Sequence, residues 1–575
     1  MKVSINWLKE LVDLNISAEE LVKLLPLRTI GTKEATEDFI ELDMKGYNRA
    51  DLLSLRGVAL EVTAITDSAV KFIETKDNEY IFSQQNLPKL NVEVKDPKLA
   101  PVYCLVKIEN LKVEDSNKDW VKKLSDSGFR SINNIADVTN LVMLEYGQPL
   151  HAFDSGLIDA DASDNKKIIV RTAKAQEQII TLDNKTRTLN SDDLLITDPK
   201  KAVGIAGVMG GKNSEISDNT QAIFLEAAIF DPAALRKTST KLGLTSEASK
   251  RFYHGLTKIR LFQALNQAIK MYQNLGGKLT AITIIDHFEQ VQKRVLLTQQ
   301  KVNSLIGVDI PEDKIADYLI RLGFTLDQFE KGVWGVTAPY WRLDIQIEED
   351  LIEEVARMYG YEKIPAKSLP GEAPKSIDQS QFNLTYNLKN TLVELGLTEV
   401  NTYPYYSTKT LETLGFSGKN LNNLVKVTNP ISAETQYLRQ NLWPNLIEII
   451  SKNLKQGFLD LAIFELGKIY FIDEKQQIFE NYSLAIALLN GGNNPTKELF
   501  AIFNKLNQKL SLNIKVEAKK ATGADLGLFH PSRFVQLISD DKLLGKLAEV
   551  HQRLTDKFGI SNRIAVLEVG INLLN

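Results

Sequence analysis

Hydrophobic and polar positions follow several distinct rhythms along this chain, and each rhythm predicts a different kind of element. Near the start, Leu21, Val22, Leu24 and Leu25 fall on one side of a helical repeat, and Ser17 and Glu20 precede them in the spacing of a capping box. A second helix is expected over Ser54 to Thr66, with short β-like pieces between residues 28 and 47. From about Pro101 to His287, runs such as VYCLVKIENL, KKIIVRTA and QAIFLEAAIF, separated by Gly, Asp and Asn turns, predict short strands with occasional helices. Next come Pro311 at a helix start, Gly323 after its end, the hairpin-like FTLDQFEKGVWGVTAP and a closing acidic helix, an order that suggests a winged-helix-like module. A linker rich in Pro, Ser and Gly, residues 364 to 380, leads to a last region of amphipathic helices and strands such as LAIFELGKIYF.

The expected fold class is therefore α+β multidomain. Its parts are a small α+β unit over 1–90, a mixed α/β domain over 91–290, the winged-helix-like domain over 291–366 and an α+β domain over 378–575. A length of 575 residues fits that number of domains. Hydrophobic residues at 43% and charged residues at 25% exclude a mainly disordered or collagen-like chain. No apolar run is long enough to span a membrane, and charges interrupt MKVSINWLKELVD where a signal peptide needs apolar residues, so a cytoplasmic protein without a membrane partner is expected. The one cysteine, Cys104, forms no internal disulfide and builds no zinc site. A net charge of -4 supplies no global field for nucleic acid, so any RNA contact falls to local patches or to a partner.

Three constellations can carry chemistry. In WRLDIQIEEDLIEEVARMYGY, six acids lie between Asp344 and Glu354. If a helix starts near Glu349, Asp350, Glu353 and Glu354 share a face while Leu351, Ile352, Val355 and Met358 turn to the core. Such acids either hold a hard cation such as Mg²⁺ or gather at a helix N-terminus because its dipole favours them. In RSINNIADVTNLVMLEYGQPLHAFD, His151 sits among Asn140, Gln148, Pro149 and Asp154 at a helix-to-loop transition, as a pocket residue or as a satisfied structural histidine. The third is GIAGVMGGKNSE. Ala206 and Asn213 stand where a Walker A loop needs Gly and Ser or Thr, which leaves a tight turn against a strand. No nucleophile elbow, zinc-protease, paired CxxC or RNP motif occurs.

Taken in order, these segments resemble the beta subunit of bacterial phenylalanine-tRNA ligase. The resemblance runs through MKVSINWLKELVDL, RSINNIADVTNLVMLEYGQPLHAFD, GIAGVMGG, FLEAAIFDPAALRKTSTKLGLTSEASKRF, EEDLIEEVARMYGYEKIP, NPISAETQYLRQNLWPNLI, FELGKIY and FHPSRF. It implies a Mg²⁺ bound by Asp344, Asp350, Glu353 and Glu354 at the contact with an alpha subunit. It also implies that the middle block is an editing domain removing tyrosine from mischarged tRNA(Phe), with Thr139, Asn140, Pro149, Leu150, His151, Glu226 and Ala248 in its pocket. The last domain resembles a degenerate class II synthetase core, an antiparallel sheet without the motif-three pattern or an arginine pair for ATP phosphates. No residue here is then catalytic for aminoacylation. Adenylate formation from ATP falls to the alpha subunit of a tetramer with two alpha and two beta chains.

Two departures from the family pattern stand out. The usual oligonucleotide-binding insertion is expected to be missing between Leu25 and NRADLLSLRG, and the usual C-terminal anticodon-binding domain is expected to be missing after FHPSRF. Alternative readings are a free-standing deacylase of mischarged tRNA and a non-enzymatic scaffold.

Overall fold

Serines open the first helices. Ser4 accepts the Trp7 amide ahead of α1 (Ile5–Leu11). Ser17 accepts the Glu20 amide ahead of α2 (Ala18–Arg28), and the Glu20 carboxylate accepts the Ser17 amide in return, completing the capping box. Strands β1 (Lys2–Ser4), β2 (Thr32–Ala35) and β3 (Phe39–Leu42) pair antiparallel in the order β1-β3-β2. Helix α3 (Leu55–Thr66), capped by Ser54, buries Leu55, Val58, Ala59 and Val62 in the same core as Trp7 and Leu21.

The middle of the chain builds two sheets from β4 (Asn91–Val94), β5 (Val102–Glu109), β6 (Leu150–Asp154), β7 (Lys167–Thr172), β8 (Leu194–Thr197), β9 (Ala202–Ile205), β10 (Met209–Gly210), β11 (Ile223–Ile229) and β12 (Lys278–Asp286). One sheet runs β12-β5-β11-β6, wholly antiparallel. The other runs β10-β9-β8-β7-β4, with only the β7-β4 pair parallel. Helices α4 (Lys118–Asp126), α5 (Asn134–Tyr146), α6 (Pro232–Leu242), α7 (Glu247–His254) and α8 (Lys258–Asn274) complete this region. Every residue of β11 is buried, the ionisable Glu226 among them.

The next stretch forms β13 (Arg294–Thr298), α9 (Gln299–Ile306), α10 (Glu312–Arg321), β14 (Thr325–Glu330), β15 (Val333–Thr337) and α11 (Glu348–Tyr359). Its sheet order is β13-β15-β14, and Ile315, Leu319, Trp334, Leu351 and Val355 share its core. Met1–Ser368 together make one compact unit.

The second unit is Leu369–Asn575. Here α12 (Ser380–Glu394), β16 (Thr398–Glu399), α13 (Trp443–Leu454), β17 (Leu461–Ile472), β18 (Ile478–Leu489), α14 (Pro495–Lys509), β19 (Lys515–Ala518), β20 (Phe529–Ser539), β21 (Lys542–Val550) and β22 (Ile564–Gly570) surround a seven-stranded sheet. Its order is β16-β17-β18-β22-β21-β20-β19, antiparallel except at β16-β17. The two-residue period of β18 shows how both faces are filled. Leu484, Ile486 and Leu488 join a core with Leu392 of α12 and Phe503 of α14, while Ala485, Ala487 and Leu489 join one with Leu446 and Ile450 of α13.

This computed structural model describes residues 1–73, 79–289, 293–368, 371, 377–416, 418–473, 475–490, 494–539 and 541–571. Residues 369–370 and 372–376 of the linker expected over 364 to 380 lie outside the described residues, as do residues 74–78. Among the described residues, no helix is long and apolar enough to cross a membrane.

Candidate functional site

Helix α5 ends at Gly147, whose φ of +77° turns the chain out of the helix. Gln148 fastens that turn by donating from Nε2 to the carbonyls of Pro149 (3.0 Å) and Ala228 (2.9 Å). The chain enters β6 in a register that sets His151 directly opposite Glu226 on β11. Paired residues of an antiparallel ladder project from the same face, so imidazole and carboxyl emerge side by side. Pro149, Leu150, His151, Glu226 and Ala248 line one cavity of about 220 Å³.

The glycine-rich stretch forms the facing wall, residues 204–210. A β-carbon on Gly210 would lie 2.5 Å from His151 Cε1 and 2.7 Å from Nε2, so the missing side chain is the space the imidazole occupies. The amides of Ala206, Val208 and Gly211 bond to carbonyls of the chain itself, those of Leu194, Ile205 and Val203. These amides hold a turn and do not cradle a phosphate, in keeping with the failed Walker pattern. The Ser246 hydroxyl donates to the Val208 carbonyl (3.0 Å) and caps α7 by accepting the Ser249 amide, tying the turn that carries Ala248 to the glycine wall.

Burial dominates the electrostatics. It raises Glu226 to about 7, against the lowering effect of the Tyr103 hydroxyl, which donates to Glu226 Oε2 at 2.7 Å. Burial alone pushes His151 down to about 4, and its ring meets Phe153 edge-on with centroids 4.5 Å apart. At neutral pH the imidazole is uncharged and the carboxyl is poised between its two forms. Among the described lining residues the only hydroxyl is that of Ser246, already committed as above. Cys104 is fully buried, and burial drives its thiol far up, away from the reactive thiolate. The arrangement suits attack by water better than a covalent nucleophile.

Thr139 and Asn140 do not join this group. They lie on α5 about two turns before its end, outside the cavity lining, and the Thr139 hydroxyl donates to the Ala136 carbonyl (2.7 Å) of its own helix. Sequence reasoning missed Gly210 as the seat of the imidazole and Tyr103 as the partner of Glu226. An acid embedded in the apolar run IFLEAAI was the available signal for the latter, since a buried carboxyl needs a donor.

The acidic segment behaves differently. Leu351, Ile352, Val355 and Met358 are buried, but so is Glu354, at 3% exposure, and it leaves the face of exposed Glu353. Arg342 donates to both oxygens of Asp344 (2.9 and 2.6 Å) and to Glu354, while Arg357 donates to both oxygens of Glu354 (2.9 and 2.5 Å). Burial works against the charge of Glu354, yet Arg342 and Arg357 outweigh it and hold the carboxyl well below its ordinary range. Arg357 also donates to Glu61 of α3, which accepts from Arg49 (2.7 Å), itself bonded to Asp51 (2.9 and 2.7 Å). Asp350 accepts the amides of Gln346 and Ile347 (2.6 and 2.9 Å) at the start of α11.

Guanidinium groups thus satisfy two of the four carboxylates, and backbone amides just before α11 occupy a third. Among the described residues no group of three or more His, Cys, Asp or Glu is arranged to hold a metal ion. The four acids do not fit a single magnesium ion in this structure, and Glu348, Glu349 and Asp350 sit in the first helical turn as the dipole alternative requires.

Residues 99–277 match the family model of the B3/4 domain, 295–361 that of the tRNA synthetase B5 domain, and 364–571 that of the phenylalanyl tRNA synthetase beta chain CLM domain. The chain is 32% identical over 568 residues to the phenylalanine-tRNA ligase beta subunit of Carboxydothermus hydrogenoformans, spanning 96% of this chain and 70% of that one. It is 34% identical over 542 residues to the beta subunit of Bacillus subtilis, spanning 92% of this chain and 65% of the other.

Proposed function

Because this chain belongs to the family of phenylalanine-tRNA ligase beta subunits, we propose that it works in the cytoplasm as the docking and proofreading half of that ligase. In this reading an alpha subunit, two copies with two of this chain, joins phenylalanine to tRNA(Phe) at the expense of ATP. The cavity between β6, β11 and the glycine wall hydrolyses tyrosine wrongly attached to the same tRNA. The stretch from β13 to α11 serves as a winged-helix-like module, and the seven-stranded unit as a class II synthetase-like sheet without synthetic activity. ATP and its magnesium belong at the alpha subunit, and no step runs through the acidic segment.

The observation that carries the reading is the pairing of Glu226 with His151 across one ladder in a small, largely apolar cavity. Tyrosine and phenylalanine differ by one hydroxyl. A buried carboxylate oxygen that only the hydroxyl satisfies rejects the analogue lacking it far more strongly than a hydrophobic pocket rejects a change of size. In hydrolysis, water oxygen bonds to the ester carbonyl carbon, the bond to the ribose oxygen breaks, and a proton reaches that oxygen. With a pKa of about 4, His151 accepts a proton poorly, and its place is to hold the water through a ring nitrogen.

The test is release of tyrosine from tyrosyl-tRNA(Phe) by the full chain, compared with a Glu226→Ala variant. Fast release by the wild type and slow release by the variant supports the reading. Equally slow release by both removes it. Phenylalanine-dependent ATP/pyrophosphate exchange is expected only after the alpha subunit is added.

A further inference from the structure

We propose that Tyr103 is a specificity-determining positioning residue. Its hydroxyl engages one oxygen of Glu226, which leaves the other oxygen as the single open acceptor for a hydroxyl on the substrate's side chain. This inference rests on the hydrolytic reading above.

Tyr103 lies on β5, the strand beside β11, and does not line the cavity. The cross-strand partner of Glu226 on β5 is Leu105, and Tyr103 stands two residues along from it, on the same face. The phenol is fully buried, with 0% exposure. Among the described residues its hydroxyl has one hydrogen-bond partner, Glu226 Oε2, and Glu226 has no other donor. The carboxyl is thus held from the side, by a neighbour on the same face of the sheet, while its open oxygen belongs to a residue that lines the cavity.

The groups facing Glu226 from the elements around it are few. From β5 there is Tyr103, with Cys104 next to it in the chain. From β6 there is His151, which makes no hydrogen bond to the carboxyl, and from α7 there is Ser246, whose hydroxyl is spent on Val208. None carries a formal charge at neutral pH, so the Tyr103 hydrogen bond is the one polar interaction favouring the ionised carboxylate against burial. Without it the carboxyl takes up a proton at higher pH and is free to rotate, and an acceptor becomes a mixture of donor and acceptor. The ligand class that meets an oriented carboxylate inside apolar walls is an aromatic amino-acyl ester with one ring hydroxyl.

The experiment measures hydrolysis of tyrosyl-tRNA(Phe) and phenylalanyl-tRNA(Phe) across pH 5.5 to 9 by the full chain. The variants are Tyr103→Phe, Glu226→Gln and the double variant, each checked by thermal unfolding. Tyr103→Phe is expected to lower kcat/KM for the tyrosyl ester roughly tenfold or more at pH 7, leave the slow phenylalanyl rate unchanged, and move the acid limb of the tyrosyl profile to higher pH. In the Glu226→Gln background it is expected to add little. If Phe at 103 does not fold, 3,5-difluorotyrosine there keeps the hydroxyl as a stronger donor and should move the acid limb to lower pH.

A Tyr103→Phe enzyme with wild-type discrimination and profile overturns the proposal, as do effects that simply add to those of Glu226→Gln, or a fluorinated enzyme with an unmoved limb. Should the wild type release neither amino acid, the hydrolytic reading itself falls. Should it release tyrosine while Tyr103→Phe behaves identically, only the role of Tyr103 falls.

Discussion

Gly210→Ala isolates the seat of His151. The backbone of Gly210 is not in the left-handed region, so alanine meets no conformational penalty and the effect is one of space. The new methyl would sit 2.5 Å from His151 Cε1 and 2.7 Å from Nε2, against ordinary carbon contacts of about 3.5 to 4.0 Å, so the ring must move by roughly 1 Å. The clashing atoms end a side chain and do not belong to the backbone, so the fold should survive with a loss of about 1 to 2 kcal/mol, the lower part of the range for overpacking. If His151 holds the water as proposed, a displacement of that size is expected to slow tyrosyl-tRNA hydrolysis by about 100-fold. Single-turnover deacylation measures the rate, and thermal unfolding shows that the fold is kept. In a His151→Ala background the extra methyl should have far less effect, because only its 3.2 Å contact with Leu182 Cδ1 remains. A Gly210→Ala enzyme that hydrolyses at the wild-type rate would refute the claim that this glycine seats the imidazole. Gly211→Ala is the contrast: its methyl would meet the Val203 carbonyl oxygen at 2.7 Å, a backbone clash that should damage the fold itself.

Three further outcomes follow from burial. Arg357→Met leaves Glu61 and Glu354 short of a counter-charge, so chemical unfolding of the first unit should show a loss of about 3 to 5 kcal/mol; a change under about 1 kcal/mol would mean the pairing contributes little. Burial lifts Glu226 from 4.5 to about 7 and depresses His151 from 6.5 to about 4. The stabilising contribution of folded Glu226 is full below pH 4.5 and lost as pH rises to 7, while that of folded His151 is full above pH 6.5 and lost as pH falls to 4. Each amounts to about 3 kcal/mol and they oppose one another, so Glu226→Gln should leave stability rising with pH across that window and His151→Gln should leave it falling; parallel curves would contradict both assignments. Cys104, buried with its thiol pKa pushed far up, should resist alkylation in the native chain and react quickly in urea.

Local signals were legible in the sequence where neighbours in the chain decide the outcome. The Ser17–Glu20 cap, the helix after Ser54 and the apolar side of α11 all formed as their spacing predicts. Of the pocket, Pro149, Leu150, His151, Glu226 and Ala248 were reached through resemblance, and the register of β6 against β11 unites them. What stayed hidden depends on long-range pairing. Glu354 looks like a surface acid at helical spacing until Arg342 folds back on it and Arg357 links it to Glu61, which lies 296 residues from Arg357 in the chain. Tyr103 and Glu226 are 123 residues apart, and only the β5-β11 ladder makes them partners.

The chain of arginines and acids from Asp51 through Arg49, Glu61, Arg357 and Glu354 to Arg342 and Asp344 sews the opening helices to α11 across the whole span of the intervening domain. The domain proposed to be hydrolytic is therefore bracketed by a clasp whose two jaws come from either side of it in sequence. Shuffling one jaw between relatives without the other would strand unmatched ions in the interior, so the two jaws should be inherited as a pair.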